Sequence, residues 1–380
     1  MAGRQVQTQM RTRKLQRGRA LTDVAGQASR VSGRRGAHPR PATLLLLSWL
    51  ALLLAACGGH ASPSSALTDP QNHLHDLLAL SGSPQTVLLA THLGLYRSTD
   101  RGRTWKEVAG GAGQPMDGLM TFKLAQSSVD PRRVYCLALS RTAAGTAQGE
   151  GLYTSADGGQ TWKLATALAS FPTHHVYTIG VGSSGPRQVY AILPALGAGG
   201  IYVSDDAGGH WRALPPAPTD VVTGIGGDPD KAGRVFVWST TAGLFESHDG
   251  GSTWSPAPGI RGGVYAVALA KGTVYASGDA GLYVSQDGGG RFTLVDAQRS
   301  FSSLAASTSA PSSAYALTGT TVYTTADAGR TWRATAPTSR HPSLVSTDPL
   351  DTKAAYVGFA FPLGLAVTTD GGASWRSALP

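Results

Sequence analysis

The chain has 380 residues with 49 glycines, 22 prolines and 2 cysteines, and a formal net charge of +9. Two cysteines exclude a disulfide-stapled scaffold. Ten of the basic residues and one acid lie in residues 1–42, so the remainder carries 22 charges of each sign, and nothing there calls for nucleic acid.

In chain order, a basic leader comes first, then an uncharged Leu-rich run from Ala42 to Ala56 ending Leu54-Ala55-Ala56-Cys57. That order of basic, apolar and small residues predicts a secretory signal over 1–57. The run is shorter than the roughly 20 residues a membrane-spanning helix needs. The last four residues resemble a bacterial lipobox, which implies acylation at Cys57 and a membrane-anchored lipoprotein outside the bacterial cytoplasmic membrane. The alternative is an ordinary signal in which Cys57 is incidental. Residues 58–71, with Ser62-Pro63-Ser64-Ser65, read as a flexible tether. Cys136 sits in the apolar run Val134-Tyr135-Cys136-Leu137 and reads as a small buried hydrophobe.

Residues 72–380 are a repeat array. The segment from Gly151 to Trp162 reads Gly-Leu-Tyr-Thr-Ser-Ala-Asp-Gly-Gly-Gln-Thr-Trp, and six further copies carry Asp100, Asp206, Asp249, Asp287, Asp327 and Asp370 where this one has Asp157. Successive acids are 57, 49, 43, 38, 40 and 43 residues apart. A period of about 40–45 residues is that of a four-stranded propeller blade. Each copy predicts a strand, a tight turn and a return strand. The Asp accepts backbone amides one to three residues on, Gly supplies positive φ, and the closing aromatic covers the turn. Seven such acids cannot form one catalytic site, so their role is structural. The copy around Asp287 ends Gly290-Arg291-Phe292 instead of Thr-Trp and is expected to be the weakest.

Upstream of each box lie two more strands. The first is rich in small residues (Gly180, Gly182, Gly224, Gly226, Ala266, Ala268), as strands converging on an axis require. The second carries an aromatic in most repeats, as in Val189-Tyr190 and Val274-Tyr275. The prediction is an all-β, seven-bladed β-propeller of four-stranded antiparallel blades. Each blade is complete in chain order, so no strand exchange closes the ring.

The boxes resemble the BNR or Asp-box repeats of sialidases, sortilin-type receptors, xyloglucanases and photosystem II assembly factors. The resemblance covers residues 73–380 and implies the fold. The sialidase Arg-Ile-Pro segment is missing, and beyond the leader the glutamates are Glu107, Glu150 and Glu246. Xyloglucanase-type enzymes pair two propellers, more than this chain holds. The expectation is therefore a non-catalytic propeller binding a protein or glycan, with no cofactor. The alternative is a sialidase-like exo-glycosidase.

The face opposite the boxes is where loops are free to vary. His73, His75, Asp117, His174, His175, Asp220, Arg261, Arg299 and His341 fall where the chain enters each first strand, and they are expected to converge on the channel mouth. Phe359 and Phe361 belong to the loop of the seventh blade. His174, His175, Asp117, Asp220, Arg261, Arg299 and His341 are the candidate contacts for a partner. No histidine spacing fixes a ligand set, so no metal is expected.

Overall fold

The computed structural model describes residues 66–142, 149–193, 200–219, 221–335 and 340–379; Cys57 and Asp220 lie outside them. These residues form seven four-stranded antiparallel sheets, each made of four strands consecutive in the chain. The sheets span 74–109, 119–167, 178–213, 224–256, 264–296, 303–334 and 344–377, and are numbered here as blades 1 to 7. The fold is an all-β propeller. Its single helical turn among the described residues is Leu168–Ser170.

The position of a strand within its blade follows from its composition. Second strands such as Val134–Ser140 and Val189–Leu193 are covered on both faces by neighbouring blades and are apolar almost throughout. Fourth strands form the rim and shrink to two residues in blades 3, 4, 6 and 7. Edges that short offer little to a foreign strand. First strands crowd the axis. A Cβ on Gly180 of blade 3 would lie 2.2 Å from the backbone oxygen of Ile225 in blade 4, which is why small residues are required there.

The aromatics of the second strands tie blades together. Tyr190 donates its hydroxyl to the Gly250 carbonyl, Tyr275 to Pro311 and Tyr315 to Thr352, each in the next blade. Among the described residues the ring closes by face packing, without strand exchange. Leu74, Leu77 and Leu89 of blade 1 share a buried cluster with Tyr356, Leu365 and Val367 of blade 7. Residues 66–71 form turns rather than a strand, and Leu67 packs against the same cluster.

Candidate functional site

The two faces of the ring differ in kind. On one face lie the boxes, whose chemistry is internal. The hydroxyl of Ser155 donates to Asp157 Oδ1 at 2.7 Å and accepts the Gly159 amide at 2.9 Å. The same carboxylate oxygen accepts the amides of Gln160 and Thr161 at 2.9 and 3.0 Å, and Oδ2 accepts the Thr161 hydroxyl at 2.6 Å. The amides captured are thus three and four residues on, further than the turn chemistry alone indicates. Burial pushes the Asp157 carboxyl up. The Thr161 hydroxyl and amide, with the Ser155 hydroxyl, outweigh it and hold the group at about 2. In every box the residue after the Asp has positive φ; in blades 1 to 6 it donates its amide to the loop joining strands one and two of its own blade, as Gly158 does to Arg132, and in blade 7 Gly371 donates to Lys353 near the start of the second strand. All seven carboxylates are consumed by their turns. Cys136 is fully buried and free, and burial pushes its thiol up.

The opposite face is the mouth, where loops between second and third strands meet those between blades. Three first strands carry a β-bulge near this end, in blades 1, 2 and 5. In each the extra residue, outside the ladder, has a ring: His75, Phe122 and Tyr265. A bulge leaves one residue unpaired and re-aims its side chain. Tyr265, Tyr177 and Phe361 are 43%, 50% and 72% exposed. The Tyr265 hydroxyl donates to Asp279, whose other oxygen accepts the Gly263 amide at 2.7 Å. The Tyr265 hydrogen bond, followed by that amide, lowers the Asp279 carboxyl. Glu107, in the fourth strand of blade 1, behaves oppositely. Burial raises its carboxyl, against the Tyr96 hydroxyl and Arg141, which lower it.

His73, His75 and His92 meet at this mouth, with ring nitrogens within 4.8 Å of one another. His73 stacks on His92 at 4.7 Å between centroids, and Phe361 stacks on His73 at 4.5 Å. His92 escaped the sequence reading because it lies in the turn between second and third strands, not where a first strand begins. The backbone bond from the His92 amide to the His73 carbonyl, 3.0 Å, brings the two together. Phe359 ends the second strand of blade 7 and is buried, with the Arg340 guanidinium 4.6 Å from its ring centroid.

The other expected contacts do not join. Among the described residues no hydrogen bond, ion pair or ring contact links any two of Asp117, His174, His175, Arg261, Arg299 and His341. Asp117 accepts the Gly113 amide at 2.8 Å within its own turn. Arg299 pairs with Asp296 at 2.6 Å and lies 5.5 Å from the Tyr323 ring centroid. His174, His175, Arg261 and His341 are exposed. Asp220 is outside the described residues.

Fold and boxes together define the class: this is a seven-bladed β-propeller of BNR/Asp-box repeats. Models for the BNR-Asp box repeat and the BNR/Asp-box repeat match residues 95–108 and 153–164. Among curated proteins the chain is 31% identical over 195 residues to a xyloglucanase of Paenibacillus sp., and 29% identical over 194 residues to a xyloglucanase of Hypocrea jecorina. Each match covers 43% of this chain but only 18% and 22% of those relatives' length. Among solved structures, the GH74 enzyme of Niastella koreensis superposes with a TM-score of 0.64 at 18% identity, over 81% of this chain and 54% of that one. The chain thus spans about half of that structure. Similarity to two xyloglucanases overturns the expectation of a non-catalytic propeller and displaces the sialidase-like alternative. A missing sequence motif does not exclude a glycosidase, which needs only two carboxyls about 5 to 10 Å apart in space.

Proposed function

We propose that the chain is a glycoside hydrolase acting on a xyloglucan-type polysaccharide, bound across the mouth opposite the boxes. The observation that carries this reading is the 31% and 29% identity to two xyloglucanases over 43% of this chain. The mouth supports it chemically. The C–H face of a sugar ring lies well on an aromatic ring, and Tyr177, Tyr265 and Phe361 offer exposed rings there. Glu107, whose carboxyl burial raises, is offered as the candidate proton donor. The loops bearing His174, His175, Arg261 and His341 are the candidate sugar contacts.

The test is incubation of the full chain with xyloglucan, measuring reducing ends released and retardation in a xyloglucan-containing native gel. Release that falls by about 100-fold or more in Glu107→Gln, with retardation kept, is expected. Absence of both release and retardation would overturn the reading; release unaffected by Glu107→Gln would remove that residue from it. The leader further suggests export and anchoring of the enzyme through a lipid at Cys57. Labelling with a fatty-acid analogue should then be lost in Cys57→Ser, and unchanged labelling would refute the anchor.

A further inference from the structure

We propose that His73, His75 and His92 form a binding site for a divalent first-row transition metal of the zinc and copper kind, with a coordination position left open at the mouth. The proposal is independent of the glycosidase reading.

Three observations carry it. First, the geometry converges: the three ring nitrogens lie within 4.8 Å of one another. Zinc–imidazole bonds of about 2.0–2.1 Å place tetrahedral ligands about 3.3 Å apart, so the nitrogens need close by about 1.5 Å at most, and the stacked His73 and His92 rings must turn out of parallel so that both in-plane lone pairs meet the ion. Second, the tautomers are fixed for ligation. His75 Nδ1 lies 2.9 Å from the Thr121 carbonyl oxygen and His73 Nδ1 lies 3.1 Å from that of Gln71. A carbonyl can only accept, so each Nδ1 carries the proton and each Nε2 keeps its lone pair. Such an outer bond from imidazole to carbonyl is the usual support of a metal-bound histidine. Third, His92 Nδ1 is buried without a hydrogen-bond partner, a rare condition that a ligated ion would resolve.

The surroundings are rigid. Thr121 is fully buried, and its hydroxyl accepts the Thr91 amide at 2.9 Å and lies 2.9 Å from the Gly94 carbonyl oxygen. The Arg141 guanidinium holds the carbonyls of His92 and Leu93 at 3.0 and 3.1 Å, fixing the turn that carries His92. The Arg141 guanidinium beside the turn of His92 opposes a bound cation, a cost that three imidazole ligands must offset. All three histidines are only half-buried, so an ion can enter and a fourth ligand can reach it.

The experiment is titration of the untagged chain with zinc chloride by calorimetry and thermal melting, with cobalt(II) absorption as a check on coordination. One ion per chain is expected, with a raised melting temperature. His92→Ala and His75→Ala should each weaken binding by at least about tenfold. His248→Ala, an exposed histidine on the box face, should leave affinity unchanged. Should a histidine variant unfold, Phe361→Ala provides a second route. It removes the ring stacked on His73 but no ligand, so one zinc should still bind. The proposal fails if zinc, copper(II), nickel(II) and cobalt(II) all fail to bind at one equivalent. It fails equally if His92→Ala binds as tightly as the parent, or if His248→Ala loses as much.

Discussion

Asp157 works with both carboxylate oxygens on different partners, one collecting a hydroxyl and amides, the other the Thr161 hydroxyl. Asp157→Ala removes all of these and should cost about 1–2 kcal/mol, the usual scale for a side chain satisfying turn or cap amides. Urea melts would check it. The same bonds hold Asp157, Asp249 and Asp327 at about 2, against an ordinary 3.8. A carboxyl depressed in the folded state adds stability that is complete above its unfolded pKa and disappears as pH falls through the folded value. The propeller should therefore hold to about pH 4 and lose stability steeply between 3.8 and about 2. A melting temperature flat across that window would contradict the assignment. The two residues after the Asp respond differently to substitution. Ala328 has φ 58° and Gly329 φ 77°. Gly at 328 relieves an unfavourable left-handed residue, so Ala328→Gly should be neutral or stabilising by up to about 1 kcal/mol. Gly329→Ala should destabilise, since its Cβ would lie 2.9 Å from Leu282 of the preceding blade.

At the scale of the strand and blade, the period of the boxes and the small first strands are local signals, so the blades were legible in the sequence. Gly329 on Leu282 is one case of a general arrangement. The second residue after each Asp is a glycine seated on the preceding blade, as Gly208 is on Leu152 and Gly251 on Leu214. Blade 5 shows what its altered box loses. Ser285 and the Arg291 amide still reach Asp287 Oδ1, at 2.6 and 3.1 Å, but no Thr hydroxyl stands where Thr161 caps Asp157. Hydrogen exchange should be faster in residues 281–296 than in the matching hairpins of blades 4 and 6. Equal protection would place the weak point elsewhere. The site was less legible. The histidine trio needs a bulge at His75, the turn bearing His92 and a carbonyl 46 residues away, none of which leaves a mark in sequence spacing. The mouth loops carry ordinary polar residues, and the structure leaves most of them apart.

Across the whole molecule, blades 7 and 1 meet through an ion pair as well as apolar packing. Arg101 lies 2.8 Å from Asp351 and 3.7 Å from Asp348, whose side chain is buried. Removing the cation strands a buried carboxylate, so Arg101→Ala should cost about 3 kcal/mol or more. Arg132→Ala, whose pair with Asp130 is largely exposed, should cost at most about 1 kcal/mol. Comparable losses from the two would show that the ion pair is not what holds this seam.

That seam differs from the other six in the entropy of making it. The Ala79 amide reaches the Ser346 hydroxyl across 267 residues, whereas the Ser81 amide reaches Gln126 in the next blade across 45. Loop closure costs about 0.6 kcal/mol for each doubling of length, so joining the ends asks about 1.5 kcal/mol more than joining neighbours. Among the described residues blades 7 and 1 share no strand, so that difference falls on side chains. A covalent link between residues 79 and 346 would shorten the loop in the unfolded chain and should raise stability more than the same link placed between any two adjacent blades.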